Sequence, residues 1–260
     1  MKFTKMHGLG NDYLYHYGEL EHPEKLAVQL SDRHFGIGSD GIVQITPSEI
    51  ADFKMRIYNA DGSEAKMCGN GIRCVGKYVY EKGYTDKENL RIETLSGIRF
   101  LKLAIEQKKV KSVTVAMGKV EVRQPVTLTI EGKEITCTPV SVGKPHAVIF
   151  VKDVKSIPLD CLGPRIEKHS YFPDGVNVEF AEQVAENALR MRVWERGSGI
   201  TMACGTGACA VAAAVVKKGL CSAGREITVQ LDGGQLRIKI EEDDTVIMTG
   251  TANTICECEV

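Results

Sequence analysis

Met55-Arg56-Ile57-Tyr58, leading to Cys68-Gly69-Asn70-Gly71, and Met191-Arg192-Val193-Trp194, leading to Cys204-Gly205-Thr206-Gly207, are two copies of one pattern. Residues 55 and 191, and residues 68 and 204, are each 136 apart. The register holds without a gap as far as Lys82-Gly83 and Lys218-Gly219. An internal repeat of this length predicts two similar lobes, each built on the same supersecondary unit.

Asp52 to Tyr58 alternates, with Phe53, Met55 and Ile57 on one face and Lys54, Arg56 and Tyr58 on the other. That period of two predicts a strand with one buried side, and Leu189 to Trp194 repeats it. After each glycine turn a helix is expected. Ile72, Val75 and Val79 recur at helical spacing, with Gly83 just past the end. Ala208 to Val216 is small and apolar nearly all round, which predicts a helix buried within its lobe. A helix is also expected from Pro23 to about His34, with Gly36 beyond it, and another over Leu159 to Ser170. Short β patterns run over 41–46, 90–95, 112–117, 126–130, 147–151, 176–180, 226–231, 235–240 and 245–248.

The resulting fold class is α+β: two pseudo-symmetric lobes, each a curved, mostly antiparallel, barrel-like sheet around a central helix. The active site is expected in the cleft between them. The boundary falls near Met117-Gly118, giving an N-terminal lobe of residues 1–117, joined by the C-terminal segment 249–260, and a C-terminal lobe of residues 118–248.

The chain's 260 residues, 43% apolar and 26% charged, have a globular composition. A net charge of −1 gives no electrostatic footprint for nucleic acid or an anionic membrane. No apolar run approaches the ~18 residues needed to span a bilayer. Met1 to Tyr15 carries Lys2 and Lys5 without an apolar stretch behind them, so no export is expected and the setting is cytoplasmic. Nine cysteines cannot all pair within one chain, and in that setting they are expected as thiols. Their spacing does not match a zinc site and no His pair lies nearby, so no metal is assigned.

The chemistry concentrates at Cys68 and Cys204. Each opens a helix, where the N-terminal dipole lowers a thiol from its ordinary pKa of about 8.5. The adjacent glycines leave backbone N–H groups bare, forming a nest that suits a carboxylate. A carboxylate gripped there acidifies the proton on the neighbouring carbon, because the charge released flows toward preorganised donors. One thiolate then serves as base and the opposite thiol as acid, and stereochemistry inverts with no cofactor. An isolated buried Cys beside Gly is ordinarily a small apolar residue. Two Cys-Gly-Xaa-Gly turns at one repeat offset favour the catalytic pair. Cys74, Cys137, Cys161, Cys209, Cys221, Cys256 and Cys258 read as packing residues.

The chain resembles the diaminopimelate epimerase family over essentially its whole length. The resemblance rests on Lys5-Met6-His7-Gly8-Leu9-Gly10-Asn11-Asp12, Tyr58-Asn59-Ala60-Asp61-Gly62-Ser63, Cys68 to Cys74, Pro145-His146, Val176-Asn177, Glu195-Arg196-Gly197 and Ala203 to Gly207. The resemblance implies epimerisation of LL-diaminopimelate to the meso form, a small diamino dicarboxylate as partner, and no cofactor. It implies Cys68 and Cys204 as acid and base, with His146 tuning the thiols and Glu195 also catalytic. It assigns Gly69, Asn70, Gly205 and Thr206 to the reacting carboxylate, and Glu195 with the backbone near Arg196 to the ammonium group. Asn11, Asn59, Asn177 and the Arg196 side chain would read the distal end. Taken alone, these asparagines are turn residues, His146 a polar loop residue and Arg196 a surface charge. Lys144 stands where family members usually carry Asn, and Cys256 stands where some place a tyrosine used in dimer contact, so a homodimer is expected by analogy only. Two other functions stay open: epimerisation of another amino acid, and a thiol redox protein working through a Cys68–Cys204 disulfide.

Overall fold

The computed structural model describes residues 1–260 and divides into two compact units, residues 1–116 with 249–260, and residues 117–248. The first unit contains β1 (Lys2–Gly8), β2 (Asn11–Tyr17), α1 (Pro23–Ser31), β3 (Gly41–Thr46), β4 (Phe53–Asn59), β5 (Glu64–Ala65), α2 (Gly69–Glu81), β6 (Asn89–Thr94) and β7 (Gly97–Glu106). β8 (Lys109–Lys119) leaves it. The second contains β9 (Glu121–Val122), β10 (Val126–Ile130), β11 (Lys133–Ser141), β12 (Pro145–Phe150), α3 (Leu159–Glu167), β13 (Asn177–Ala185), β14 (Ala188–Glu195), β15 (Gly199–Thr201), α4 (Gly205–Lys217), β16 (Glu226–Leu231) and β17 (Gly234–Ile240). β18 (Thr245–Gly250) leads back, and β19 (Asn253–Glu259) joins the first unit. No helix is long and apolar enough to cross a membrane.

Both units follow one wiring. In the first, β1 pairs antiparallel with β2, β2 runs parallel to β3, β3 pairs antiparallel with β4, β4 runs parallel to β6, and β6 pairs antiparallel with β7. In the second, β11, β12, β13, β14, β16 and β17 repeat that sequence of antiparallel and parallel ladders. The fold is therefore α+β with mostly antiparallel pairing. α2 packs on the neighbouring β1 and β2 and also on β7, far from them in the strand order, so the sheet must curve around it. α4 touches β11 through β14 and also β16 and β17, again requiring a wrapped sheet.

The two central helices end by one device. Tyr84 N–H reaches Val79 O at 3.0 Å past Gly83 (φ +78°), and Leu220 N–H reaches Val215 O at 3.2 Å past Gly219 (φ +72°). This is the Schellman stop, which needs the left-handed residue that glycine supplies. Inside α2, Gly76 is required for packing: a Cβ there would stand 3.0 Å from Leu101 and Leu103. Glycines within a helix cost up to ~1 kcal/mol each. Burial of Ile72, Val75 and Val79, at about 1.5–3 kcal/mol per side chain, outweighs that. Tertiary packing, not propensity, holds α2.

The structure corrects several expected elements. Tyr58 does not face solvent with Lys54 and Arg56. It is buried in a second cluster with Phe3, Leu14, Ala27, Leu30 and Ile42 beneath α1, so β4 is covered on both faces at that end. α1 stops at Ser31, three residues short of the expected His34. The Asp32 carboxylate accepts from His34 N–H and Phe35 N–H, both at 2.7 Å, turning the chain back. α3 likewise stops at Glu167, and β6 ends at Thr94 before the exposed Leu95. Strands β1, β2, β7, β11 and β19, none of them expected as such, complete the sheets.

Candidate active site

In the first unit, Cys68 is the N-cap of α2, in an extended conformation (φ −134°, ψ 118°), and its Sγ accepts from Gly71 N–H at 3.4 Å. A side-chain acceptor at the N-cap satisfies one of the orphan donors of the first turn, here through sulfur in place of the usual oxygen. The Cys68 thiol also donates to Asn11 Oδ1 at 3.3 Å. Asn11 is delivered by a two-residue hairpin between β1 and β2, in which Leu9 (φ +58°) and Gly10 (φ +90°) both take left-handed backbone. Asn11 Nδ2 donates to Asp40 Oδ2 at 2.7 Å, which orients the amide with oxygen toward sulfur. Arg33 donates to both Asp12 and Asp40, at 2.9 and 3.0 Å, and so holds the two acids together.

Asn70 and Arg73 are buried near the start of α2. The Arg73 guanidinium donates to Gly69 O at 2.9 Å, to Asn70 Oδ1 at 3.1 Å and to Thr251 O at 3.2 Å. Gly8 passes close above: a Cβ there would stand 2.9 Å from Asn70 O. Tyr15 OH donates to Gly71 O at 3.3 Å from beneath. Asn59 lies at the end of β4, with its amide donating to Ser63 Oγ at 3.0 Å.

In the second unit, Cys204 is the N-cap of α4 (φ −116°, ψ 110°), and Gly207 N–H donates to its Sγ at 3.3 Å. Thr206 Oγ1 is 3.5 Å from the same sulfur. Gly205 opens the helix. Behind the turn, His146 on β12 and Glu179 on β13 form a buried pair, with Nδ1 to Oε1 at 2.7 Å. Glu195 at the end of β14 accepts from Thr201 Oγ1 at 2.6 Å. Asn177 Oδ1 accepts from Arg196 N–H at 2.8 Å, and the Arg196 guanidinium donates to Asp174 O at 2.7 Å. Arg196 lies on a cavity of about 520 Å³ that is also lined by Glu167, Lys168, His169, Phe172 and Asp174. Lys144 is exposed in the tight turn between β11 and β12.

The electrostatics of Cys204 differ from the sequence expectation. A helix N-terminus alone would lower the thiol. Instead burial pushes Cys204 well above its ordinary range, and the carboxylates of Glu195 and Glu179 push it further, against the opposing hydrogen bonds from Thr206 and Gly207. Burial raises Glu179 as well, partly offset by His146. Cys74 and Cys137 are pushed up to about 11, chiefly by burial, in keeping with packing roles. None of the nine cysteines is in a disulfide, and no three His, Cys, Asp or Glu side chains form a metal-binding group.

The structure thus gathers Asn11, Gly69 and Asn70 around Cys68, and His146, Glu195, Gly205 and Thr206 around or beside the Cys204 turn, with Asn177 fixing the Arg196 backbone. Sequence reasoning missed Asp40, Arg73, Thr201 and Glu179. Glu179 was detectable: it is an acid between Val178 and Phe180 in a strand pattern, and its repeat counterpart is Val43.

The chain is an α+β pair of repeated units, each with a cysteine capping its central helix. Among solved structures the chain is similar to a probable proline racemase from Agrobacterium radiobacter K84, with a TM-score of 0.75 and 16% identity, covering all of this chain and 92% of that one. It is also similar to a PhzF-family phenazine biosynthesis protein from Bacillus anthracis, at a TM-score of 0.80 and 16% identity, covering 100% and 98%. Both likenesses show fold. The diaminopimelate epimerase family model matches residues 3–123 and 138–255. Proteins named diaminopimelate epimerase from Acetivibrio thermocellus and Phocaeicola vulgatus are 50% and 52% identical, each covering all of this chain and 98% of the relative. The chain belongs to the diaminopimelate epimerase family.

Proposed function

We propose that this chain epimerises LL-2,6-diaminopimelate to the meso form by two-base proton transfer between Cys68 and Cys204. It is an isomerase acting on a small amino acid, as its family membership and full-length similarity to diaminopimelate epimerases support. The observation that carries the mechanism is the pair of sulfur-capped helices at one repeat offset, each with Sγ on the N–H of the third helical residue.

One thiolate removes the α-proton, breaking the C–H bond and forming S–H. The electron pair left on carbon delocalises into the substrate carboxylate, held by N–H groups at the helix starts, including those of Gly69–Asn70 and Gly205–Thr206. Losing one such donor costs on the order of 3–4 kcal/mol of barrier. The opposite thiol then donates its proton to the other face of the planar carbon. Turnover leaves the two sulfurs with exchanged protonation, and solvent exchange resets them. The scheme requires residues 68 and 204 to meet opposite faces of one stereocentre. Glu195 takes the ammonium group at the reacting carbon, and Asn11, Asn59, Asn177 and Arg196 recognise the distal amino-acid end. His146 acts on the thiols and not on the substrate.

No cofactor enters this scheme. We assign the reaction to the cytoplasm, where reduced thiols persist, and the assembly to a homodimer by analogy with the family. The test is chiral analysis of product from purified protein and LL-diaminopimelate with nothing added. Accumulation of meso product supports the proposal; inert LL-diaminopimelate alongside racemisation of another amino acid would replace it.

A further inference from the structure

The two sulfur turns are alike in backbone but not in what stands behind them. A Cβ on Gly71 would meet the Met55 methyl at 3.3 Å. A Cβ on Gly207, its repeat counterpart, would meet Glu179 Oε1 at 2.6 Å. Gly207 is the residue whose N–H holds the Cys204 sulfur, so a carboxylate lies against the very turn that carries the thiol. Val148 pairs with Glu179 in the parallel β12–β13 ladder, as Tyr15 pairs with Val43 in β2–β3. The corresponding strand position of the first unit is therefore aliphatic.

Glu179 and His146 are also expensive to keep. Both side chains are fully buried, and Glu179 Oε2 and His146 Nε2 have no hydrogen-bond partner. Buried orphans of this kind destabilise the fold, and a buried ion pair is weak evidence for stability. Stability therefore does not account for this pair.

We propose that Glu179 is a positioning residue that makes Cys204 the harder of the two thiols to ionise. It acts in two ways. Its negative charge lies against the Cys204 turn and opposes a second negative charge there. By accepting the Nδ1 proton of His146 it also fixes the imidazole tautomer, leaving Nε2 as the free nitrogen. The direction of the Cys204 shift, raised by burial and then by Glu195 and Glu179, agrees. The groups around Cys204 are Glu195 from β14, Glu179 from β13, His146 from β12, and Thr206 and the Gly207 N–H from its own helix. β11, β16 and β17 direct Val140, Val229 and Ile238 inward and keep Glu134, Glu226 and Arg237 exposed, while Glu121 on β9 is exposed. Cys137 on β11 belongs to a separate apolar cluster with Leu128 and Ile149.

This inference rests on the two-thiol reading above, and its test separates the two. Reduced protein is pulsed with iodoacetamide across pH, and alkylation of residues 68 and 204 is mapped by mass spectrometry. In the wild type, Cys68 is expected to alkylate with the lower pH midpoint. Glu179→Gln retains size and an acceptor for His146 but loses the charge. It should move the Cys204 midpoint down by about one pH unit while leaving that of Cys68 in place. The alkaline limb of kcat/KM should move down equally in both directions, because both directions draw on the same singly protonated pair. A purely structural role would lower rates without a selective shift. An unmoved Cys204 midpoint in Glu179→Gln, or equal movement of both thiols, overturns the inference. If that variant does not fold, the wild-type order decides, and a Cys204 midpoint at or below that of Cys68 overturns it. Absence of epimerisation in the wild type would refute the proposed function while leaving the midpoints readable.

Discussion

Gly207→Ala and Gly71→Ala are the same substitution at equivalent helix positions, yet they should have opposite outcomes. At Gly207 the new methyl would stand 2.6 Å from Glu179 Oε1 and 3.2 Å from its Cγ and Cδ. Relief to ordinary contact needs a shift of roughly 0.8 Å, given close-packed interiors with little slack. That is enough to break the 2.7 Å bond to His146. Losing a buried charged hydrogen bond costs about 1.5–3 kcal/mol, while the Gly-to-Ala gain in helix propensity returns up to ~1 kcal/mol. The net expectation is a loss of about 1–2 kcal/mol, a few degrees of melting temperature for a chain this size, with kcat reduced because the Cys204 turn is displaced. At Gly71 the obstacle is a flexible methionine methyl at 3.3 Å. That variant should be within about 0.5 kcal/mol of wild type, or slightly more stable. Urea midpoints and kcat of both variants, measured side by side, check this. If Gly207→Ala matched wild type in both, the carboxylate would not be held where the structure has it.

Cys68→Ser and Cys204→Ser should each lose on the order of 10²–10⁴-fold in turnover while keeping wild-type circular dichroism, since a hydroxyl is a poor base at neutral pH. Gly83→Ala and Gly219→Ala meet nothing within 4 Å but sit at φ +78° and +72°. Each should cost about 1 kcal/mol by backbone strain alone, and their effects on the urea midpoint should add. Arg73→Leu removes the buried guanidinium donors to Asn70 Oδ1 and Thr251 O, so a loss of about 2 kcal/mol in chemical denaturation is expected. Burial works against ionised Asp52, but hydrogen bonds from Lys87 and the Arg91 N–H outweigh it and hold the carboxyl below its ordinary range. Its contribution is therefore present above the unfolded value of about 3.9 and lost as pH falls through the folded one. Asp52→Asn should flatten the acid limb of the stability curve while lowering stability at pH 7.

The sequence made the central helices legible because both their signals are local. A cysteine N-cap and a glycine at the left-handed stop bracket α2 and α4, and the repeat shows each signal twice. Strand cores such as β3, β10 and β16 were legible from composition and alternation over a few residues. β19 was not, because its residues are nearly all exposed and carry no period; it exists through its long-range ladder with β1. Tyr58 was misassigned because alternation assumes one covered face, while α1 covers the other. The end of α1 turned on an Asp32 side chain whose competition with the helix is visible only in geometry. At the site, the family's motif residues were legible one by one. Their supports were not, because Asp40 on Asn11, Thr201 on Glu195 and Glu179 on His146 are partners across strands. Thiol acidity was misjudged for Cys204, where burial and two carboxylates outweigh the helix N-terminus.

The two-base proposal meets its sharpest test in the early turnover of LL-diaminopimelate in deuterium oxide, with label followed separately in substrate and product. Two thiols that exchange with solvent predict meso product carrying one deuterium at the inverted carbon while the remaining LL pool stays essentially unlabelled. Comparable label in recovered substrate and product would mean that a single base serves both faces, and unlabelled product would mean that Cys204 and Cys68 do not exchange protons through solvent between turnovers.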